Sequence, residues 1–298
     1  MLGSALRQAL VVRLFPSLQL VRHAPASRGQ LQWNPAASPA ISKSEELEGV
    51  TTAIHLSGSN VAAHRWTAAY KREMTESRVQ STRALAEALA RLRQPPRDML
   101  VASAVGIYGN RGDELLDEAS LPGTGFLADL CKQWEAAAQP AVDAGIRVIH
   151  LRFGVVLGPI AEANAGGALA RMLPLFRLGF GGPLGDGRQY MSWISLADAV
   201  AAIFFLVETP ALSGPANLTA PNPVTNAQFT RTLAAAVHRP ALFRAPAFAL
   251  RLALGQMADE ALLSSARAYP SKLTGAGFQF SLPTVAEALA APPARYPR

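Results

Sequence analysis

Met99-Leu-Val-Ala-Ser-Ala-Val-Gly-Ile-Tyr-Gly109 is the stretch that decides the fold. From Met99 to Ser103 the residues are apolar or small without alternation, and the run breaks at a glycine turn, Gly106 to Gly109. A short apolar run bounded by a turn reads as a strand buried on both faces, which is the strand of a parallel sheet covered by helices. Upstream, a helix is expected over Ala68 to Arg91, stopped by Pro95-Pro96, which cannot continue it. Before that comes a strand, Thr52 to Leu56, breaking at Ser57-Gly58-Ser59-Asn60. Further back lie a strand from Leu18 to Val21, ending at Arg22, and a helix from Gly3 to Leu14 with Leu6, Leu10 and Leu14 four apart. Downstream, a helix around Gly125 to Ala138 precedes a strand, Arg147 to Leu151. Strand, loop and helix in alternation, with crossovers of a dozen residues or more, give βαβ units. The fold class is α/β, a doubly wound parallel sheet of Rossmann type.

The character changes after Leu157-Gly158, where Gly166-Gly167, Gly179, Gly181-Gly182-Pro183 and Gly185-Asp-Gly187 mark loops. Ser195 to Asp198, Thr225 to Gln228 and Thr284 to Glu287 have the spacing of helix N-caps. The chain divides near residue 160: a nucleotide-binding lobe over 1–160 and a smaller α+β lobe over 161–298, whose tail, 240–298, is an extension. Chains of this kind can cross between lobes more than once.

Half of the 298 residues are hydrophobic and 16% are charged, a globular composition with enough chain for a large core. The net charge is +7, carried by 24 Arg against 4 Lys. Those Arg residues are scattered and no zinc-finger or aromatic-basic pattern accompanies them, so nucleic acid is not an expected partner. Ala199 to Val207, the longest uncharged apolar run, is too short to span a bilayer, so no membrane partner is expected. A single cysteine, Cys131, allows no intrachain disulfide and suits a reducing, cytoplasmic compartment. Residues 1–44 hold no acid and carry Arg7, Arg13, Arg22, Arg28 and Lys43, which is also how an organellar transit peptide reads. The five His are dispersed without metal-ligand spacing, so no metal is expected. No G-x-S-x-G elbow is present.

Several segments together resemble one known family. They are His55-Leu-Ser-Gly-Ser-Asn-Val61, Arg65-Trp-Thr-Ala-Ala-Tyr-Lys-Arg-Glu73, Ser103-Ala-Val-Gly-Ile-Tyr-Gly109, Trp134-Glu-Ala-Ala-Ala138, Arg152-Phe-Gly-Val-Val-Leu-Gly158, Leu178-Gly-Phe-Gly-Gly-Pro-Leu-Gly-Asp-Gly187, Trp193-Ile-Ser-Leu-Ala-Asp198 and Gly277-Phe-Gln-Phe280. In this order and spacing they resemble the atypical, extended short-chain dehydrogenase/reductases, in particular the epimerase-like subgroup often labelled cell-division-inhibitor-like. That family opens with an apolar strand and a G-x-x-G-x-x-G loop. Here only Gly3 stands where the third glycine belongs, so the resemblance implies a chain begun at an internal Met. Without the first strand its neighbours would be left with unpaired backbone groups, and without the glycine pair dinucleotide binding would be weak.

The resemblance implies NADP as cofactor, because Arg22 ends a strand where NAD enzymes place an acid, and an Arg there suits a 2′-phosphate. It places Gly3, Arg22, Leu56, Ser57, Glu73, Arg78 and Val156 along the cofactor. It makes Ser103 the group that hydrogen-bonds the reacting carbonyl or alcohol, and Tyr108 a structural residue. The Tyr-x-x-x-Lys pair of the active enzymes is absent after every one of the five Tyr; Leu127 and Cys131 stand at its positions. The expected function is an NADP-dependent oxidoreductase or epimerase-like protein on an unknown small-molecule substrate. The competing expectation is a non-catalytic NADP-binding regulator linked to cell or organelle division.

Overall fold

In the computed structural model, residues 1–161 and 167–292 are described. The chain opens with α1 (Leu2–Val12), β1 (Gln19–Val21), β2 (Gln30–Gln32), β3 (Thr52–His55), α2 (Ala68–Ala90) and β4 (Asp98–Ala104). It continues with β5 (Leu115–Leu116), α3 (Phe126–Ala136), α4 (Gln139–Asp143), β6 (Arg147–Phe153), β7 (Val155–Leu157) and α5 (Ala168–Arg177). Then come β8 (Tyr190–Met191), β9 (Trp193–Ser195), α6 (Leu196–Glu208), β10 (Gly214–Leu218), β11 (Val224–Thr225) and α7 (Asn226–Ala236). The tail holds α8 (Ala247–Leu254), β12 (Arg267–Ala268), α9 (Ser271–Gly275) and α10 (Val285–Ala290).

The main sheet has four strands in the order β10-β6-β4-β3, all parallel. Its centre is β4, the stretch quoted first, buried along all but its last residue. Helices cover both faces, as a doubly wound fold requires. On one face Ala5, Leu6 and Ala9 of α1 and much of α6 pack on Leu100, Ile149 and Leu151. On the other, Leu85, Ala86 and Leu89 of α2, with Trp134, Ala138 and Ala141, pack on Met99, Val101 and Val148. Thr67 starts α2 by accepting the Tyr70 N–H at 3.1 Å, which satisfies one of the orphan donors of the first turn. At the N-terminal edge of the sheet Asp98, fully buried, binds Arg147 at 2.7 Å and Arg97 at 2.9 Å. Arg147 also donates to the carbonyls of Leu206, Thr209 and Leu212 around the C-terminus of α6, where a cation suits the helix dipole.

β1 and β2 form a separate parallel pair. Among the described residues neither bonds to the main sheet, although Leu20 and Leu31 share a core with Ala53 and Leu56. The edge of β3 is correspondingly open: Thr52, Ala53 and Ile54 are only half-buried, whereas β4 beside it is sealed. Among the described residues, β1 and β3 thus each have a ladder partner on one side only.

Beyond residue 160 the chain crosses back. α6 lies in the same core as α1, and β10 adds to the main sheet next to β6. The remainder forms a second core in which fully buried Trp193 and Phe229 meet Leu169, Leu173, Val285 and Leu289. Thr225 and Thr284 both close capping boxes, and Ser195 accepts the Asp198 N–H at 2.9 Å.

Candidate functional site

Parallel strands bring their C-terminal ends to one edge, where ligands of open α/β sheets bind. Arg22 follows β1, Leu56 and Ser57 follow β3, Ser103 lies near the end of β4 and Arg152 near the end of β6. Val156 is inside β7, paired with Ile194. A one-residue break at Gly154 starts that short strand on a new partner. The N-terminus of α1 reaches the same edge: Met1 and Val156 pack on one cluster, and a Cβ added at Gly158 would lie 3.8 Å from the Met1 sulfur. No side chain caps the first turn of α1, so its N–H groups are open to an anion. Gly3 itself is exposed, inside the helix, and a Cβ there would meet nothing within 4 Å.

A cleft of about 420 Å³ opens beside β1 and α2. Arg22, Gln32, Trp33 and Asn34 line it from one side, and Glu73, Glu76, Ser77 and Ser81 from the helix. Arg22 and Glu73 thus share one concavity, while Gly3 and Ser103 stand outside it. Under its floor His55 lies 3.0 Å from the Ser81 hydroxyl and edge-on to Trp33 at 5.8 Å. Burial, aided by the Arg22 charge, pulls the His55 pKa down to about 4, so the ring is neutral at pH 7.

Arg78 is buried in the wall behind this cleft. It donates to the carbonyls of Ser59 at 2.8 Å and Met74 at 3.1 Å, and its guanidinium sits 5.0 Å from the centre of the Trp134 ring. No carboxylate pairs with it among the described residues. Gly58 leaves room for this approach: a Cβ there would stand 3.1 Å from the Arg78 guanidinium carbon, tighter than most such contacts. Arg78 and the Ser57–Ser59 loop are therefore assembled together. Burial lowers the Arg78 pKa, so a bound anion would stabilise its charged form.

Ser103 belongs to a different arrangement. Its hydroxyl donates to Glu135 Oε1 at 2.7 Å. Glu135 takes both ends of the Arg152 guanidinium, at 2.9 and 3.0 Å, and Arg152 reaches the Tyr108 hydroxyl at 3.1 Å. Tyr108 donates to Asn217 at 2.8 Å, and the Asn217 N–H goes to Glu118 at 2.9 Å. Burial pushes the Glu135 carboxyl up, but hydrogen bonds and charge from Arg152 outweigh it and hold it below its ordinary value. An ionised carboxylate only accepts, so the Ser103 proton must point at Glu135. Ser103, buried at 3% exposure, is then left with lone pairs and no donor. Tyr108 has the structural place expected of it.

On α3, Cys131 packs with Tyr108 beside this network, whereas Leu127, four residues earlier, joins the cluster of Trp66 and Tyr70. Cys131 is buried, and burial together with the Glu135 charge pushes its thiol up to about 11, so it is no thiolate at neutral pH. Lys132 faces away in an exposed pair with Asp129 at 2.6 Å. The first turn of α3 is occupied: Glu260, from the C-terminal tail, accepts the N–H groups of Phe126 and Leu127 at 3.1 and 2.8 Å. Sequence reasoning gave no role to His55, Trp33, Arg152 or Glu260. For Arg152 a signal existed, because it stands directly across from Ser103 in the β4–β6 register. For Glu260 none did, since a cap from 133 residues away leaves no local pattern.

Among the described residues no group of three His, Cys, Asp or Glu is placed to hold a metal ion, and no helix is long and apolar enough to cross a membrane.

Residues 1–219 match the NAD dependent epimerase/dehydratase family, and residues 245–291 match a domain of unknown function, DUF1731. An epimerase family protein of Mycobacterium bovis is 47% identical over 289 residues, 97% of this chain and 93% of that protein. The crystal structure of human epimerase family protein SDR39U1 (isoform 2) with NADPH superposes with a TM-score of 0.86 at 31% identity, covering 97% of this chain and 95% of that one. A nucleoside-diphosphate sugar epimerase from Corynebacterium glutamicum is 36% identical with a TM-score of 0.76, over 97% of this chain and 55% of that one.

Proposed function

The chain belongs to the NAD dependent epimerase/dehydratase family, and from that premise we propose that it binds NADP(H) and acts as an oxidoreductase or epimerase-like protein on a small-molecule substrate. The observation that carries this reading is Arg22: an exposed guanidinium lining a cleft at the ligand edge of the sheet, with no acid bonded to it among the described residues. An acid there would favour a free ribose hydroxyl, and an Arg favours a 2′-phosphate. The SDR39U1 structure, which contains NADPH, supports the same choice.

The residues fit the group in three places. Arg22 would hold the 2′-phosphate, with Glu73 across the cleft accepting from the adenosine. The open first turn of α1 at Gly3, and Arg78 with its missing counter-charge, would hold the diphosphate beside Leu56 and Ser57. Val156 would border the nicotinamide, which when bound supplies or accepts a hydride. Ser103, kept in place by Glu135 and Arg152, would accept a hydrogen bond from a substrate hydroxyl. The lobe over 161–298 would carry the substrate, and the protein would work in the cytoplasm without nucleic acid.

Titration of NADPH and NADH, followed by nicotinamide fluorescence, tests this. Arg22→Ser should weaken NADPH roughly ten- to hundredfold, the value of a charged hydrogen bond, and leave NADH unchanged. Equal losses for both cofactors would sink the assignment.

A second reading is a cofactor-binding regulator without turnover. The Ser103 proton already committed to Glu135, and Leu127 and Cys131 in place of an acid–base pair, favour it. NADPH binding with no oxidation or epimerisation across a panel of alcohols, ketones and nucleotide sugars would decide for it.

A further inference from the structure

Outside the nucleotide cleft, the most unusual surface lies on the C-terminal lobe. The α8 sequence is Ala-Phe-Ala-Leu-Arg-Leu-Ala-Leu, yet it contains no buried residue. An apolar helix left on the surface of a folded chain needs an explanation. Phe248 and Leu252, one turn apart, are 72% and 79% exposed. The patch continues past the start of α8. Leu184 bridges Ala245, and the Phe180 and Phe243 rings meet at 5.6 Å. Leu178 and Leu242, 69% and 76% exposed, extend it.

The same patch is ringed by cations. Arg177, Arg239 and Arg244 are exposed, and among the described residues none pairs with a carboxylate. Arg239 leans on the Arg177 carbonyl at 3.0 Å and Arg244 on the Asp186 carbonyl at 3.2 Å, so both are held at the rim. Arg251 pairs with Asp259, and Glu260, the acid beside it, is turned to the first turn of α3.

We infer that this face docks on an anionic phospholipid surface, with Phe180, Leu242, Phe243, Phe248 and Leu252 entering the headgroup boundary and Arg177, Arg239 and Arg244 meeting lipid phosphates. Three things select this occupant. The apolar side chains stand out as tips on three separate segments, and a fluid bilayer conforms to such a relief. The rim charge complements anionic lipid, and the chain as a whole carries +7. A second copy packed on a two-fold axis would bring two cationic rims together, which disfavours self-pairing. This attachment is peripheral, and it does not rest on the cofactor assignment.

Co-sedimentation of the full chain with phosphatidylcholine vesicles, and with vesicles that also contain phosphatidylglycerol, tests the inference. Binding should require the anionic lipid and fall as salt is raised. Arg239→Gln with Arg244→Gln should weaken it about thirtyfold, the loss of two surface charges. Phe248→Ser with Leu252→Ser should abolish retention at high salt. Neither pair is buried, so circular dichroism and Tm should match the parent. Absence of sedimentation, equal binding to neutral and anionic vesicles, or light scattering that shows a dimer dissociated by Phe248→Ser with Leu252→Ser would each overturn it.

Discussion

Replacing Glu135 by Gln keeps the side-chain shape and removes one charge from the Ser103–Glu135–Arg152 arrangement. In the parent, both carboxylate oxygens are used by Arg152, and one also takes the Ser103 proton. The Arg152 side chain is 7% exposed and that of Glu135 is 14%, so water cannot replace the lost partner. Removing one member of a buried ion pair leaves the other charge uncompensated and costs about 3–5 kcal/mol. Against a typical total of about 5–15 kcal/mol, that is a large fraction. Urea unfolding at pH 7 should show a lower midpoint with unchanged slope. A second change, Arg152→Met in the Glu135→Gln background, removes the stranded cation and should recover part of the loss. The pH dependence has a definite sign. Folding lowers the Glu135 pKa below its ordinary 4.5, so protonation favours the unfolded chain. The parent's advantage over Glu135→Gln is therefore complete above pH 4.5 and drains away as pH falls through the depressed folded value. A difference under about 1 kcal/mol at pH 7 would refute the claim that this pair locks the end of the sheet.

His55 has the opposite protonation chemistry and the same direction of loss. Its pKa drops from 6.5 to about 4 on folding, so stability is full above 6.5 and should decline by about 3 kcal/mol as pH falls to 4. A Tm series for His55→Asn lacking this slope would agree, and parallel curves would not. Cys131, with its thiol pushed up to about 11, should resist a thiol-specific chromophore at pH 8 until the protein is unfolded. Prompt labelling of the native chain would contradict its burial. Gly3→Ala should raise stability by up to about 1 kcal/mol, because the site is helical and a Cβ there meets nothing. If the same change also weakens NADPH, then the close approach of a phosphate, and not the fold, requires the glycine.

Elements with strong local signals were legible before any coordinates. Met99 to Ser103 and Arg147 to Leu151 are central strands, and they announce themselves because both faces are apolar. α2 shows the prolines beyond its end, while its Thr67 cap went unread. β10 was invisible for a physical reason. It begins Gly214-Pro215, which reads as a turn, and it is tolerated because β10 lies at the edge of the sheet, where a missing N–H costs little. β2, Gln30–Gln32, has only Leu31 to bury and gains its strand from β1 beside it. The division at residue 160 marked a real change of texture but could not show that α6 and β10 return to the first core.

The site was legible in residue types and illegible in directions. Arg22 and Glu73 were singled out from positions 51 residues apart, and the fold brings them to one cleft. Ser103 was singled out as well, as a group for a substrate oxygen, and a serine can serve such an oxygen as donor or acceptor. Which of the two it offers is set by Glu135, and what Glu135 can accept is set by Arg152, one strand away. A carboxylate kept ionised by a buried guanidinium has no proton to give, so the serine must turn its own toward it. A reacting carbonyl would then find a lone pair where it needs a donor, whereas a substrate alcohol would find an acceptor. Under the role proposed for Ser103, this atom would receive the reduced partner of an alcohol–carbonyl couple. Glu135→Gln, whose amide can itself donate to Ser103, would let the serine turn its proton back to a carbonyl.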